Sequence, residues 1–272
     1  MFDYHLHSNV SHDAYDSPVR IAMVAKEKGL TEICFTDHQE IDYPYPEEGM
    51  VRLDYTLYDR ELDKARERVP GIGIKRGVEV SLMPGSLEKI ARDVRGQAFD
   101  FVIASQHTIQ GKDPYFGDSF EGKTLRQAQR DYLEEMLFDL AHYEDFDVVG
   151  HIGYLDKYLP NIESLKEKTP FEYTDFPDLL DGILKSAISR GKGIEVNTSN
   201  YSVYEWPTPI RSVLKRFCEL GGEIVTLGSD AHMADKVGYR FRDAVEYMKE
   251  CGVKYVCKFT ARTPEFVPLE KF

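Results

Sequence analysis

The segment HLHSNVSHDA, at positions 5–14, holds three of the chain's eight histidines. His5 and His7 stand two apart, and in an extended strand that spacing sends both rings to one side, where they can grip a single ion. Asp230-Ala-His232 repeats the arrangement towards the other end of the chain. Between them, His38 (FTDH), Glu79 (GVEVS), His107 (ASQH) and His151 (GHIGY) lie at or near the ends of short β-forming runs. Imidazole combined with carboxylate suits zinc, manganese or iron better than magnesium, which favours oxygen ligands. Eight such groups exceed the set one catalytic zinc uses. With one carboxylate shared, they imply two or three divalent ions. Close cations suit attack of a metal-bound hydroxide on phosphorus, because they acidify water, hold phosphate oxygens and offset charge on the leaving group. Asp230 and His232 are also candidates for carrying a proton. No GxxxxGK[ST] phosphate loop and no Ser-His or Cys-His pairing stands out, which points to direct hydrolysis.

Side chains this far apart in sequence need a scaffold that gathers strand ends. The β-rich runs cover 3–7, 32–38, 73–81, 100–107, 147–151, 193–197, 223–232 and 254–259. Helical patterns separate them. Ser17-Pro18 reads as an N-cap followed by proline at the first helical position, and Gly29 ends that helix. Leu125, Ala128, Tyr132, Leu133, Met136 and Leu140 keep helical spacing. So do Leu179, Leu180, Ile183, Leu184, Ala187 and Ile188, closed by Gly191. Thr208-Pro209 opens a predicted helix carrying Ile210, Val213, Leu214 and Phe217, and Phe241, Val245 and Met248 mark another that stops at Gly252. Repeated strand–helix alternation means parallel strands with crossover helices. A barrel is preferred to an open doubly wound sheet, because polar residues come from almost every strand and a barrel collects all strand ends around one axis.

Composition narrows the partners. A formal charge of −13 argues against a nucleic-acid polymer or an anionic membrane surface. No run approaches the ~18 apolar residues of a membrane span, and the N-terminus lacks the pattern of a signal peptide. Cys34, Cys218, Cys251 and Cys257 form no CxxC pair and sit in apolar segments, as reduced cysteines of a cytoplasmic protein do.

Taken in order, HLHSNVSHDA, FTDH, GVEVS, ASQH, GHIGY and GSDAH resemble the PHP (polymerase and histidinol phosphatase) family across essentially the whole chain. The resemblance implies a distorted (β/α)7 TIM-like barrel, one domain over 1–272, with a trinuclear site. Mapped here, His5, His7, Glu79 and Asp230 hold the first ion. Glu79 bridges to a second held by His107 and His151. His38 and His232 hold the third with a residue of the SHDA segment, where both His12 and Asp13 are open and Asp13 better matches the usual offset. Asp37, just before a ligand histidine, is a candidate to orient an imidazole. His142 lies outside every motif and reads as a surface histidine.

Within the family, the stretches EICFTDHQEIDYP, FDFVIASQHTIQGKDPYF, FDVVGHIGYLDKY and GKGIEVNTSN are similar to those of stand-alone histidinol-phosphate phosphatases. That likeness implies hydrolysis of L-histidinol phosphate to L-histidinol and phosphate, as a step of histidine biosynthesis. A nucleotide or other small phosphoester is the alternative substrate. One departure stands out: where related enzymes grip phosphate with two arginines, this chain offers Lys157 at the first position and no basic residue in NTSNYSVYEW. Lysine supplies a point charge without the bidentate fork of arginine. The long loops after His38 and His107 could cover an amine-bearing phosphate, with Asp42, Tyr115 and Asp118 as candidate contacts.

Overall fold

Strand β1 (Phe2–Leu6) is buried along its whole length, as expected for a strand covered on both faces. The computed structural model describes residues 1–45 and 52–272 of the chain. Six further parallel segments follow β1 around the sheet: β2 (Glu32–Phe35), β4 (Gly73–Ser81), β5 (Phe101–Ser105), β6 (Val148–Val149), β7 (Gly193–Asn197) and β8 (Val225–Gly228), in sequential order. A two-residue strand β3 (His38–Gln39) continues β2 and pairs with the upper half of β4. Just past the ends of β1 and β8 the sheet curls back on itself. Asp230 N donates to His5 O at 2.8 Å, and His7 N to Ala231 O at 3.0 Å. The result is the distorted seven-stranded barrel that the family resemblance implies.

Among the described residues seven α-helices wrap it: α1 (Pro18–Glu27), α2 (Tyr55–Arg68), α3 (Leu87–Arg95), α4 (Leu125–His142), α5 (Pro177–Ser189), α6 (Arg211–Glu219) and α7 (Phe241–Cys251). Ser17 caps α1 through its side chain, and a Thr124/Gln127 capping box opens α4. The sequence pattern does not reveal α2 or α3. In α2 only Tyr58, Leu62 and Ala65 are buried, so a highly charged helix presents too thin an apolar stripe to be read. Helix α6 starts at Arg211 rather than at Pro209, because Thr208 pairs through both backbone groups with Asn197 at the end of β7.

Two predicted strands are corrected. The run EICFTDH breaks at Thr36-Asp37. Thr36 N donates to Leu6 O at 2.8 Å, and the Asp37 carboxylate accepts from Ser8 N at 2.7 Å and Ser11 Oγ at 2.7 Å. Asp37 therefore organises the loop after β1 instead of touching an imidazole. The run KYVCKF is not a barrel strand either. It forms β9 (Tyr255–Thr260), paired antiparallel with β10 (Thr263–Pro268) in a hairpin below the strands' N-terminal ends.

Tyr4 joins that hairpin to the barrel floor. Its hydroxyl accepts from Phe259 N at 2.9 Å and donates to Glu32 Oε1 at 2.6 Å, while Phe101 packs edge-on at 5.3 Å. No helix among the described residues is long and apolar enough to cross a membrane. Tyr4→Phe leaves the buried Phe259 amide without an acceptor, at a cost of about 1–3 kcal/mol. The expected outcome is a melting temperature a few degrees lower with metal content unchanged, read by calorimetry and elemental analysis.

Candidate metal centre

The C-terminal ends of the strands hold the chemistry, and the period-two alternation of each strand decides which side chains point inward. His5 and His7 from the end of β1, Glu79 from β4 and Asp230 beyond β8 form one cluster. His5 Nε2 lies 3.0 Å from His7 Nε2, 3.3 Å from Glu79 Oε2 and 3.5 Å from Asp230 Oδ1. His7 Nε2 lies 3.5 Å from Glu79 Oε2 and 3.2 Å from Asp230 Oδ1. A tetrahedral ion with bonds of about 2.0–2.1 Å needs ligand atoms roughly 3.3 Å apart. These separations fit it.

The other oxygen of Glu79 faces a second group. Glu79 Oε1 is 2.8 Å from His151 Nε2 and 3.3 Å from His107 Nε2, and the two imidazole nitrogens are 3.3 Å apart. Ser105 Oγ donates to the same oxygen at 2.6 Å. One carboxylate thus turns its two oxygens to two nitrogen clusters. A third group lies towards solvent, where Asp13 Oδ2 stands 3.1 Å from His232 Nε2 and 3.4 Å from His38 Nε2. His12 Nε2 stays 4.0 Å from Asp13 and lines the cavity beside it. His38 also reaches back, its Nδ1 3.0 Å from Glu79 Oε2.

The donor set fits metal ions. Glu79 is 1% exposed, and its Oε2, the oxygen that faces His5 and His7, has no hydrogen-bond partner. Buried polar atoms without partners are costly, and cations at the centres of these clusters supply what is missing. Burial alone would push the Glu79 carboxyl up, but His5, His107 and His151 hold it well below its ordinary value. Asp230 is likewise held down, against burial, by His5 and His7. Both remain anionic.

Carboxylates missing from the sequence reading support the cluster from behind. Glu195, inside the apolar strand β7, accepts from His5 Nδ1 at 2.6 Å through one oxygen and from His151 N at 2.9 Å through the other. The signal is an acid between the apolar Ile194 and Val196 of a strand-forming run. A Cβ on Gly228 would stand 2.4 Å from Glu195 Oε1 and from His5 Cβ, so this strand end must be glycine. Glu40, two residues after His38, meets His107 Nδ1 at 2.9 Å. Such partners fix the ring tautomer and orientation of a ligand histidine. Asp230 is steadied by Asn197 Nδ2 at 3.4 Å and Ser199 Oγ at 3.2 Å.

Above the cluster opens a cavity of about 540 Å³. Lys157 and Tyr115 line it. Asp42 does not. Its carboxylate takes a hydrogen bond from Ser86 Oγ at 2.7 Å and an ion pair from Lys89, which turn it to the outer surface. Asp118 is engaged by the Tyr45 hydroxyl at 2.8 Å. Residues 46–51 of the loop after His38 lie outside the described residues. His142 is exposed at the end of α4, away from the site.

Parallel barrels that carry imidazoles and a shared carboxylate at the C-terminal ends of their strands are scaffolds of metal-dependent hydrolysis. This chain is of that class. More narrowly, residues 3–199 match the PHP domain model, and the chain belongs to the PHP domain family. The match stops short of Asp230 and His232, which the fold nevertheless returns to the cluster. The chain is 30% identical to the histidinol-phosphatase of Lactococcus lactis subsp. lactis over 95% of its own length and 94% of that protein. It is 29% identical to a Clostridium acetobutylicum protein named "Probable histidinol-phosphatase", over 94% and 96%. The crystal structure of the Lactococcus lactis histidinol phosphate phosphatase, complexed with zinc, L-histidinol and phosphate, superposes with a TM-score of 0.84 at 28% identity, covering 97% of this chain and 98% of that one.

Glu79→Gln removes one anionic bridge oxygen, and elemental analysis should find the metal content lowered by at least one equivalent. Asp13→Ala should lose one equivalent where His12→Ala keeps it. The reverse result would move the ligand to His12.

Proposed function

We propose that this chain is a metal-dependent phosphomonoesterase that hydrolyses L-histidinol phosphate to L-histidinol and phosphate. The observation that carries the reading is the Glu79 carboxylate, one oxygen facing His5 and His7 and the other facing His107 and His151, at the floor of a cavity sized for a small molecule. Full-length similarity to the zinc-containing Lactococcus lactis enzyme supports the substrate. His5, His7, Glu79 and Asp230 would hold one ion, Glu79, His107 and His151 a second, and His38, His232 and Asp13 a third. The whole chain, 1–272, acts as one unit, since Asp230 and His232 complete clusters begun near the N-terminus.

When bound, the ions lower the pKa of water and neutralise charge on the phosphate oxygens. The protein's own groups do the rest. Lys157 Nζ, 3.4 Å from Ser199 Oγ and on the cavity wall, meets a phosphate oxygen as a point charge. The Asp230 carboxylate, steadied by Asn197 and Ser199, accepts the proton of the attacking water. That proton then passes to the leaving alkoxide, while His232, half-buried at the rim, keeps Nδ1 on Asp230 O at 3.0 Å and Nε2 towards Asp13. Glu195 and Glu40 keep His5 and His107 aimed. The acidic surface weighs against a polymeric nucleic acid, and the free cysteines suit the reducing cytoplasm.

The test is phosphate release from L-histidinol phosphate by the zinc- or manganese-loaded protein, with AMP and p-nitrophenyl phosphate in parallel. The expected outcome is a kcat/KM for L-histidinol phosphate well above both comparators and abolished by chelation. Equal slow turnover of all three, or a preference for AMP, would overturn the substrate. Lys157→Ala should lower kcat/KM by roughly 10–100-fold, the worth of one hydrogen bond to a charged group.

A further inference from the structure

The cavity that Lys157 lines also holds an acid that the hydrolytic step does not use. Asp113, on the loop after β5, is 3% exposed, yet its carboxylate lines the cavity. Its three donors are all neutral: Tyr43 OH at 2.6 Å, Tyr115 N at 2.8 Å and Tyr154 OH at 3.4 Å. A carboxylate buried this far, whose hydrogen-bond donors among the described residues are all neutral, carries a desolvation cost that a positively charged ligand would relieve. Burial does push its carboxyl up, with the Tyr43 hydroxyl and the Tyr115 amide pulling it back.

The surrounding side chains suit a cation as well. Tyr154 and Tyr158 stack edge-on at 5.1 Å and share a hydroxyl–hydroxyl hydrogen bond of 3.0 Å, and Tyr115 stands 5.8 Å from Tyr158. Faces of tyrosine attract ammonium groups. These residues come from three separate loops, after β3, β5 and β6, at the end of the barrel where specificity is built. The spacing is that of a small molecule. The Tyr154 ring lies 5.0 Å from the His107 ring and 5.1 Å from the His151 ring, while its hydroxyl reaches Asp113. One phenol ring therefore separates the acid from the phosphate-handling cluster.

We propose that Asp113, with Tyr43, Tyr115, Tyr154 and Tyr158, forms the subsite that selects phosphomonoesters bearing a cationic amine, by pairing with the ammonium while the phosphate sits between Lys157 and the metal cluster. The inference rests on the phosphomonoesterase reading and adds the element that chooses among esters. A neutral or anionic alcohol leaves the Asp113 charge uncompensated and is disfavoured for that reason.

Its test uses the metal-loaded protein and a matched pair of esters, 4-aminobutyl phosphate and 4-hydroxybutyl phosphate, beside L-histidinol phosphate. The native protein should prefer the amino ester over the hydroxy ester by roughly 10-fold or more. Asp113→Asn should erase that preference. It should lower kcat/KM for the two amine-bearing esters by roughly 10–100-fold, chiefly through KM, and leave the hydroxy ester within about 3-fold. Asp113→Glu, which keeps the charge, should recover part of the preference, and unchanged metal content would show that the cluster is intact. An equal loss on both esters would make Asp113 a loop-building residue only and overturn the subsite. So would an Asp113→Asn protein that still prefers the amine. A native protein that prefers the amino ester yet ignores L-histidinol phosphate would sink the assigned substrate while leaving the subsite standing. Turnover of L-histidinol phosphate untouched by Asp113→Asn would do the opposite.

Discussion

A glutamate that is 1% exposed, with imidazole nitrogens within 3.5 Å of both of its oxygens, sets the terms for the rest of this molecule. Taking a carboxylate out of water costs several kcal/mol unless positive charge replaces the lost solvent. Glu79 meets that demand only if four strands, β1, β3, β5 and β6, deliver their histidines to the same point from different directions. A barrel does this because every parallel strand ends at the same face, whereas an open sheet would leave β1 and β6 on opposite sides of β4 without a common focus. The curl of β8 back onto β1 is thus a requirement of the site as much as a property of the fold.

Around that constraint, acids are layered in depth. Glu79 faces the cluster directly. Glu195 and Glu40 stand behind it, each on the Nδ1 of a histidine whose Nε2 points inward. Deeper still, Asp37 and Asp3 hold backbone amides, Asp37 those of Ser8 and Ser11, and Asp3 those of Ser229 and Gly238. Burial pushes both of these carboxyls up to about 6, although every hydrogen bond they receive works in the other direction. The loops carrying Asp13 and Asp230 are therefore held by charge on their inner side, which keeps short loops rigid where a donor atom must not wander.

What the sequence made legible followed from its periodicities. Strand β4 and strand β7 carry long apolar or alternating runs, and both were readable to the residue. So were the histidines, because a metal-type residue at the end of an apolar run has few structural reasons to be there. The breaks were hidden. Nothing in EICFTDH announces that Thr36 will turn to pair with Leu6, since threonine is at home in a strand. Strand β9 looks like its neighbours in composition, and only the hairpin partner that follows it reveals that it lies below the barrel. Asp42 misled for a related reason: an acid in a long loop can face inward or outward, and the deciding contact, Lys89, comes from a helix 47 residues away in sequence. Asp113 and Tyr154 were equally unreadable, because loops converge through tertiary packing and leave no period behind.

The seam between β1 and β8 has a consequence for how the chain folds. It joins segments at the two ends of the chain, such as His5 and Asp230, through a few backbone hydrogen bonds rather than a full ladder. Closing so long a segment of polymer carries a high entropic cost, and chains dominated by such contacts reach the native state slowly. Ions gripped by His5 and His7 on one side of the seam and Asp230 on the other would act as a cross-link between the two ends of the polypeptide. The metal supply of the cell then enters the folding equilibrium of this protein as well as its chemistry, by mass action on the closed form.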